Sequence, residues 1–258
     1  MTFTVENLEF FLLVVVRLAA FIYSAPIFSI TRIPAKVKVG LAVFFGVLVY
    51  YMVPAELPET TGMISYAILI LQESIVGLLL GFITNACLYI VNFSGRIIDM
   101  EIGLSMANMM DPSTRLQTSI TGSYYTQMIS ILFLVSNMHY YIVKAIIDSF
   151  KYAPVGKAIL HRTLYEILQT FIVDFFVIGF RIVLPVFAVM LVVNIVLGML
   201  TKIAPQMNMF VVGMQLKVFA GLIVLLIIVG TLPMVADYIF DEMREYLGIM
   251  MRAITPDS

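Results

Sequence analysis

The chain has 258 residues, 62% of them hydrophobic and 12% charged, with a mean hydropathy of +1.04. Soluble domains carry roughly 45–50% apolar and about 25% charged residues, so this composition excludes a free soluble globule. Fifteen Lys and Arg against sixteen Asp and Glu leave a net charge of −1, which excludes a basic field for nucleic acid.

At about 20 residues per transmembrane helix, roughly 160 apolar residues set a ceiling of about eight spans. The reading is an all-α integral membrane protein. A single cysteine, Cys87, excludes an intramolecular disulfide and a cysteine-built metal site. His139 and His161 stand too far apart for a local metal-ligand spacing. The N-terminus carries Glu6 and Glu9 and no basic residue before Arg17. It lacks the basic leader of a cleavable signal, so the first apolar segment is expected to stay as a helix.

Six hydrophobic segments follow in order, near 8–28, 37–55, 64–93, 124–147, 167–200 and 210–240. The third, fifth and sixth would run about 45–50 Å as helices, against a hydrocarbon core of about 30 Å. Each carries potential interruptions: Gly77 and Gly81, then Pro185, then Gly221, Gly230 and Pro233. Long, broken or hairpin helices are therefore expected, in a single membrane-embedded domain over 1–258. A six-span serpentine puts Arg32, Lys36, Lys38, Arg96, Arg115 and Lys202 on one side. Lys151, Lys157, Arg162, Arg244 and Arg252 fall on the other, a near balance that fixes no orientation. The first loop taken alone favours an external N-terminus.

Ionisable groups inside these segments are Arg17, Glu73, Lys144, Asp174, Arg181 and Lys217. Each costs about 2.5–3.5 kcal/mol at a bilayer centre on insertion scales, so each should face protein or water. Arg17 and Glu73 lie at similar depth and can form an interhelical pair. Lys144 and Asp148 can pair along one helix face. Asp174 and Arg181 share a face two turns apart, too far for direct contact. One use of such groups is a proton relay; the other is satisfaction by neighbouring helices or partner subunits. His139, among Asn137, Met138 and Tyr140, reads as a hydrogen-bonded packing histidine.

Residues 94–123 join the third and fourth segments and hold Met100, Met106, Met109 and Met110, with glycines at 95, 103 and 122. They are too polar to span lipid and too apolar for an exposed loop. Such backbone is tolerated at membrane depth where it is buried in protein or lines a cavity. Methionine fills irregular gaps and repacks readily. Two readings stand: a flexible plug in a pore, or an amphipathic helix on the protein surface with methionines as filler.

Residues 198–217 contain Ile203-Ala204-Pro205-Gln206-Met207-Asn208-Met209-Phe210, which resembles the signature of the FliR/SctT family of type III export-gate proteins. The resemblance extends along the chain. Arg17 with Pro26-Ile27-Phe28, then Arg32, Pro34 and Lys38, is similar to the family's N-terminal pattern. Gly77, Gly81, Gly95, Asp99, Gly103 and Asp111-Pro112 are similar to its centre, and Ser149-Phe150 before Pro154 and Gly156 to the stretch after the fourth segment.

The resemblance implies a bacterial inner-membrane subunit of the flagellar basal body. It would assemble with FliP and FliQ into a helical gate, with FlhB and FlhA nearby, and pass unfolded flagellar proteins. It also implies a plug falling here on Gly103 to Pro112. Met100, Gly103, Met106, Met109, Met110, Asp111 and Pro112 are then the expected plug residues. Arg17, Glu73, Asp174, Arg181, Pro205, Gln206 and Lys217 are the expected assembly or buried polar residues. Pro205-Gln206 is expected to redirect the chain between the last two segments, and the tail from Asp237 to Ser258 either docks FlhB or finishes a helix.

The homologous virulence-secretion subunit is the nearest alternative. A secondary transporter should show matched halves with broken helices, and no such pair is found in the first half. A hydrolase needs a nucleophile with its base, a metal or a carboxylate pair. Glu73 and Asp174 sit in no such context, so no enzyme and no cofactor are expected. No phosphate-binding Gly-rich loop is present, which leaves the energy for transport to a partner or to the proton gradient.

Overall fold

Phe10, Leu13, Val14, Leu18, Phe21 and Ile22 recur at helical spacing and lie on one buried face of the first helix. The computed structural model describes residues 5–26, 33–53, 62–105, 119–159, 161–204, 206 and 208–256. Among them are eight α-helices and no strand. They are α1 (Val5–Ser24), α2 (Ala35–Met52), α3 (Met63–Ile102), α4 (Ile120–Val135), α5 (Met138–Tyr152), α6 (Thr163–Ile203), α7 (Met209–Ile228) and α8 (Leu232–Ala253). A single 3-10 turn, Val229–Thr231, separates α7 from α8. Five stretches are long and apolar enough to cross a membrane, or six if α4 and α5 form one broken span. The protein is an all-α membrane protein.

The breaks fall where the backbone is released, not at every glycine or proline. α3 runs unbroken for 40 residues through Gly77 and Gly81, and α6 for 41 through Pro185. The fourth segment is the one divided: Asn137 takes the left-handed conformation (φ 57°) and starts α5 afresh. Asparagine tolerates that region better than other side chains because its short amide bonds locally. The sixth segment is not divided: α7 passes through the 3-10 turn beside Gly230 into α8 with helical backbone on both sides. Residues 94–102, expected in the connection, instead complete α3. Ser94 there is absorbed into the helix by donating to the Ile90 carbonyl at 2.9 Å. The tail from Asp237 is helical to Ala253.

The chain divides into two units. The first comprises Met1–Cys87, Asn137–Ile172 and Phe240–Ser258. In it α1 packs on α2, with Phe10 and Phe11 against Tyr50. Gly77 and Gly81 form a small-residue face against α1. A Cβ on Gly77 would strike the Arg17 carbonyl oxygen and stand 2.9 Å from the Ala20 Cβ, and one on Gly81 would strike the Ser24 hydroxyl. These glycines are contact surfaces that let two backbones approach, as small residues four apart do in membrane helices. Phe171 packs between Phe82 and Tyr246, bringing the start of α6 and the end of α8 into the same unit.

The second unit comprises Leu88–Ser136 and Val173–Ile239. α3 and α4 cross at Gly95 and Gly122, where a Cβ on Gly95 would overlap the Gly122 backbone. Phe93 packs among Phe175, Phe176 and Phe180 of α6. The Ser94 hydroxyl also donates to the Gly179 carbonyl at 3.0 Å, which ties α3 to α6.

Candidate functional site

Two groups of buried polar residues stand out, one in each unit. In the first, Arg17 on α1 and Glu73 on α3 are both fully buried, and Arg17 Nε donates to Glu73 Oε2 at 2.5 Å. The guanidinium then reaches the end of α5. Arg17 Nη1 donates to the carbonyls of Ser149 (3.2 Å) and Ala153 (2.9 Å) and to the Ser149 hydroxyl (3.4 Å). Its plane lies over the Phe150 ring, 4.3 Å from the centroid.

The chemistry follows from the helix end. The last carbonyls of a helix have no intrahelical donor and carry partial negative charge, so a cation there satisfies both needs. Arginine suits the place because its fork offers five donors in one plane. Glu73 completes the arrangement: its Oε1 accepts from the Gly156 N–H at 2.8 Å. Gly156 sits at φ +74° in the turn after α5, a conformation strained for residues with a Cβ. One ion pair therefore joins α1, α3, the end of α5 and the following turn. Arg17 Nη2 has no hydrogen-bond partner among the described residues.

In the second unit Asp99 is the buried charge, 2% exposed. It meets the opposite helix end, the start of α4. Asp99 Oδ2 accepts from the Ser119 hydroxyl at 2.7 Å and Oδ1 from the Thr121 N–H at 3.2 Å. Ser119 is the N-cap, and its oxygen accepts from the Gly122 N–H at 2.8 Å. A carboxylate here satisfies an orphan amide and faces the positive end of the helix.

The remaining expected residues are scattered. Asp174 is half-buried on α6. Arg181, exposed on the same helix, donates from Nη1 to the Tyr238 hydroxyl at 3.3 Å. Lys217 is half-buried on α7, and Gln206 is exposed between α6 and α7. The first turn of α7 is held by the Asn208 carbonyl, which accepts from Val211 and Val212 N–H at 3.1 Å. Met100 is exposed at the end of α3, and Gly103 ends that helix at φ +93°. Met106, Met109, Met110, Asp111, Pro112 and Pro205 lie outside the described residues.

Two smaller pairings differ from the sequence reading. Asp148 accepts from Lys151, three residues on at 2.7 Å, rather than from Lys144. Lys151 is mostly exposed, and it lies in the last turn, where a cation faces the negative helix end. His139 stacks on Tyr140 with centroids 4.4 Å apart, and its buried Nδ1 has no partner among the described residues. It packs but is not hydrogen-bonded there.

Among the described residues no group of three His, Cys, Asp or Glu side chains comes together. Glu73 and Asp174 fall in different units, and each buried acid described above is engaged by a helix end or by an arginine. The arrangement holds helices.

Fold and site together define a polytopic α-helical membrane protein whose buried charges secure helix ends. The chain belongs to the bacterial export proteins, family 1, whose profile matches residues 8–243. It is similar to the flagellar biosynthetic protein FliR of Bacillus subtilis (strain 168), 31% identical over 93% of this chain and 95% of that one. It is also similar to the FliR of Buchnera aphidicola subsp. Acyrthosiphon pisum (30% over 90% of each). The FliR of Escherichia coli (strain K12) is 28% identical over 90% of this chain and 88% of that one.

Proposed function

We propose that this chain is a subunit of the bacterial flagellar protein-export apparatus, seated in the inner membrane at the flagellar basal body. The observation that carries the reading is end-to-end similarity: the family profile covers 8–243, and relatives named as flagellar biosynthetic proteins align over nine-tenths of both chains. It assembles with FliP and FliQ to form the gate, with FlhB and FlhA as further neighbours, and unfolded flagellar proteins are the cargo. The segment from Gly103 to Pro112, with Met100 before it, serves as the plug.

Two physical features support a subunit of a larger assembly. α6 at 41 residues would run about 60 Å, twice the hydrocarbon thickness. Of its most apolar stretch only 17% is buried within the chain, yet it carries the exposed Arg181, which lipid alone would not accommodate. Neighbouring protein subunits cover such a helix and supply polar groups for its charge.

The test is co-purification of the tagged chain from its native membrane in mild detergent, with mass spectrometry of what accompanies it. Recovery of FliP-like and FliQ-like subunits is expected. A monodisperse chain purifying alone, from cells that make those subunits, would overturn the assignment.

A further inference from the structure

The two faces of α2 are furnished differently. Its buried residues are Ala42, Gly46 and Val49, and a Cβ on Gly46 would stand 2.7 Å from Val15 Cγ2 of α1. Its outer face is bulky: Val37, Val39, Val43, Phe44, Val47 and Leu48 are all exposed. Membrane helices approach one another through small residues, so the inner face has the make-up of a protein contact and the outer face that of a lipid contact. No Asp, Glu, Lys, Arg, His, Asn, Gln, Ser or Thr lies between Lys38 and Met52. α6, by contrast, carries the exposed Arg181 inside its apolar stretch. Polar groups return to α2 only at its ends. Lys36 and Tyr51 are both exposed, fifteen residues and about 22 Å apart along the axis. With the lysine stem and the tyrosine ring reaching outward from those ends, the face matches a hydrocarbon core of about 30 Å.

We infer that the outer face of α2 binds an anionic phospholipid, with acyl chains along Gly40, Phe44 and Val47 and the headgroup phosphate at Lys36 and Lys38. A Cβ at Gly40 would meet nothing within 4 Å, so the surface one turn from Lys36 is open to chain methylenes. The two lysines stand in the first turn of α2, the positive end of the helix, where cations are disfavoured. That turn holds no acid, and neither lysine pairs with an acid among the described residues. Lys38 Nζ lies over the Tyr23 ring, 5.3 Å from its centroid, which keeps a second cation at the same end. An anion from outside the chain relieves this repulsion, and a lipid phosphate arrives at the depth where the apolar face stops. The surface requires only that α2 lie in a membrane, whatever the protein transports.

The experiment places the photoreactive p-benzoylphenylalanine at Phe44 of the full tagged chain, irradiates the native membrane and identifies the adducts by mass spectrometry after purification. Phospholipid adducts are expected. Acidic headgroups should be enriched among them by about fivefold per lysine over their share of the membrane, the factor for one basic residue at an anionic surface. Lys36→Gln/Lys38→Gln should return the adducts to the headgroup ratio of the bulk membrane with lipid still the partner, and Lys36→Arg/Lys38→Arg should keep the enrichment. A protein-sized adduct as the main product at Phe44 would overturn the lipid assignment. Parent adducts with bulk headgroup composition, or an enrichment that survives both glutamines, would overturn the anionic site.

Discussion

The Arg17–Glu73 centre and the Asp99–Ser119 cap meet the same requirement with opposite signs. At the end of α5 the unsatisfied groups are carbonyls, and the buried residue brought to them is a cation. At the start of α4 they are amides, and the buried residue is a carboxylate. The cation needs a counter-charge on a second helix, Glu73, because a buried guanidinium cannot shed its proton. The carboxylate manages with a hydroxyl and an amide. The difference teaches that the sign of a buried charge in this protein follows the helix end it serves. It also shows why the first centre binds four pieces of chain and the second only two.

Breaking the ion pair from one side should have the largest effect. Arg17→Ala strands Glu73 in an apolar interior and uncaps α5, a loss of about 3–5 kcal/mol. It should be read as failed accumulation of the chain in membranes or a markedly lowered midpoint of thermal dissociation of the purified complex. Next comes backbone approach: Gly77→Val or Gly95→Val forces helices apart at a contact with no spare room, at about 1–3 kcal/mol. Both substitutions should lower the same midpoint, and if Gly77→Val leaves it unchanged the α1–α3 contact is misassigned.

Smaller effects sharpen the contrast of sign. Asp99→Asn should cost less than Glu73→Gln, because it strands no cation; the reverse order in the melting series would contradict the difference drawn between the two centres. Ser119→Ala removes two hydrogen bonds of the cap, the one accepted from Gly122 and the one donated to Asp99, at about 1 kcal/mol. It should be the mildest of the set, visible as a small downward shift of the midpoint with assembly intact.

Much of this was legible in the sequence. The membrane class followed from composition, and Arg17 and Glu73 announced themselves as charges at matching depth in apolar segments. Their further partners did not, because the carbonyls of Ser149 and Ala153 and the N–H of Gly156 are backbone groups that leave no side-chain signal. The nearest sign was a serine and a glycine flanking Pro154, a helix-stop pattern. Gly77 and Gly81 were read as interruptions, yet their four-residue spacing is that of a packing face. Asp99 was visible only through family resemblance, since its partners lie some twenty positions further along the chain. The break at Asn137 was hidden by the apolar residues on both sides of it.

The account's central claim is that Arg17 and Glu73 act as one unit to hold helices together, and a double-mutant cycle tests it most directly. Arg17→Gln, Glu73→Gln and the double variant are compared with the parent by thermal dissociation of the purified complex. The claim predicts strong non-additivity, with the double variant more stable than Arg17→Gln alone because no charge is left stranded. Additive losses, with the double variant the least stable of the three, would contradict it.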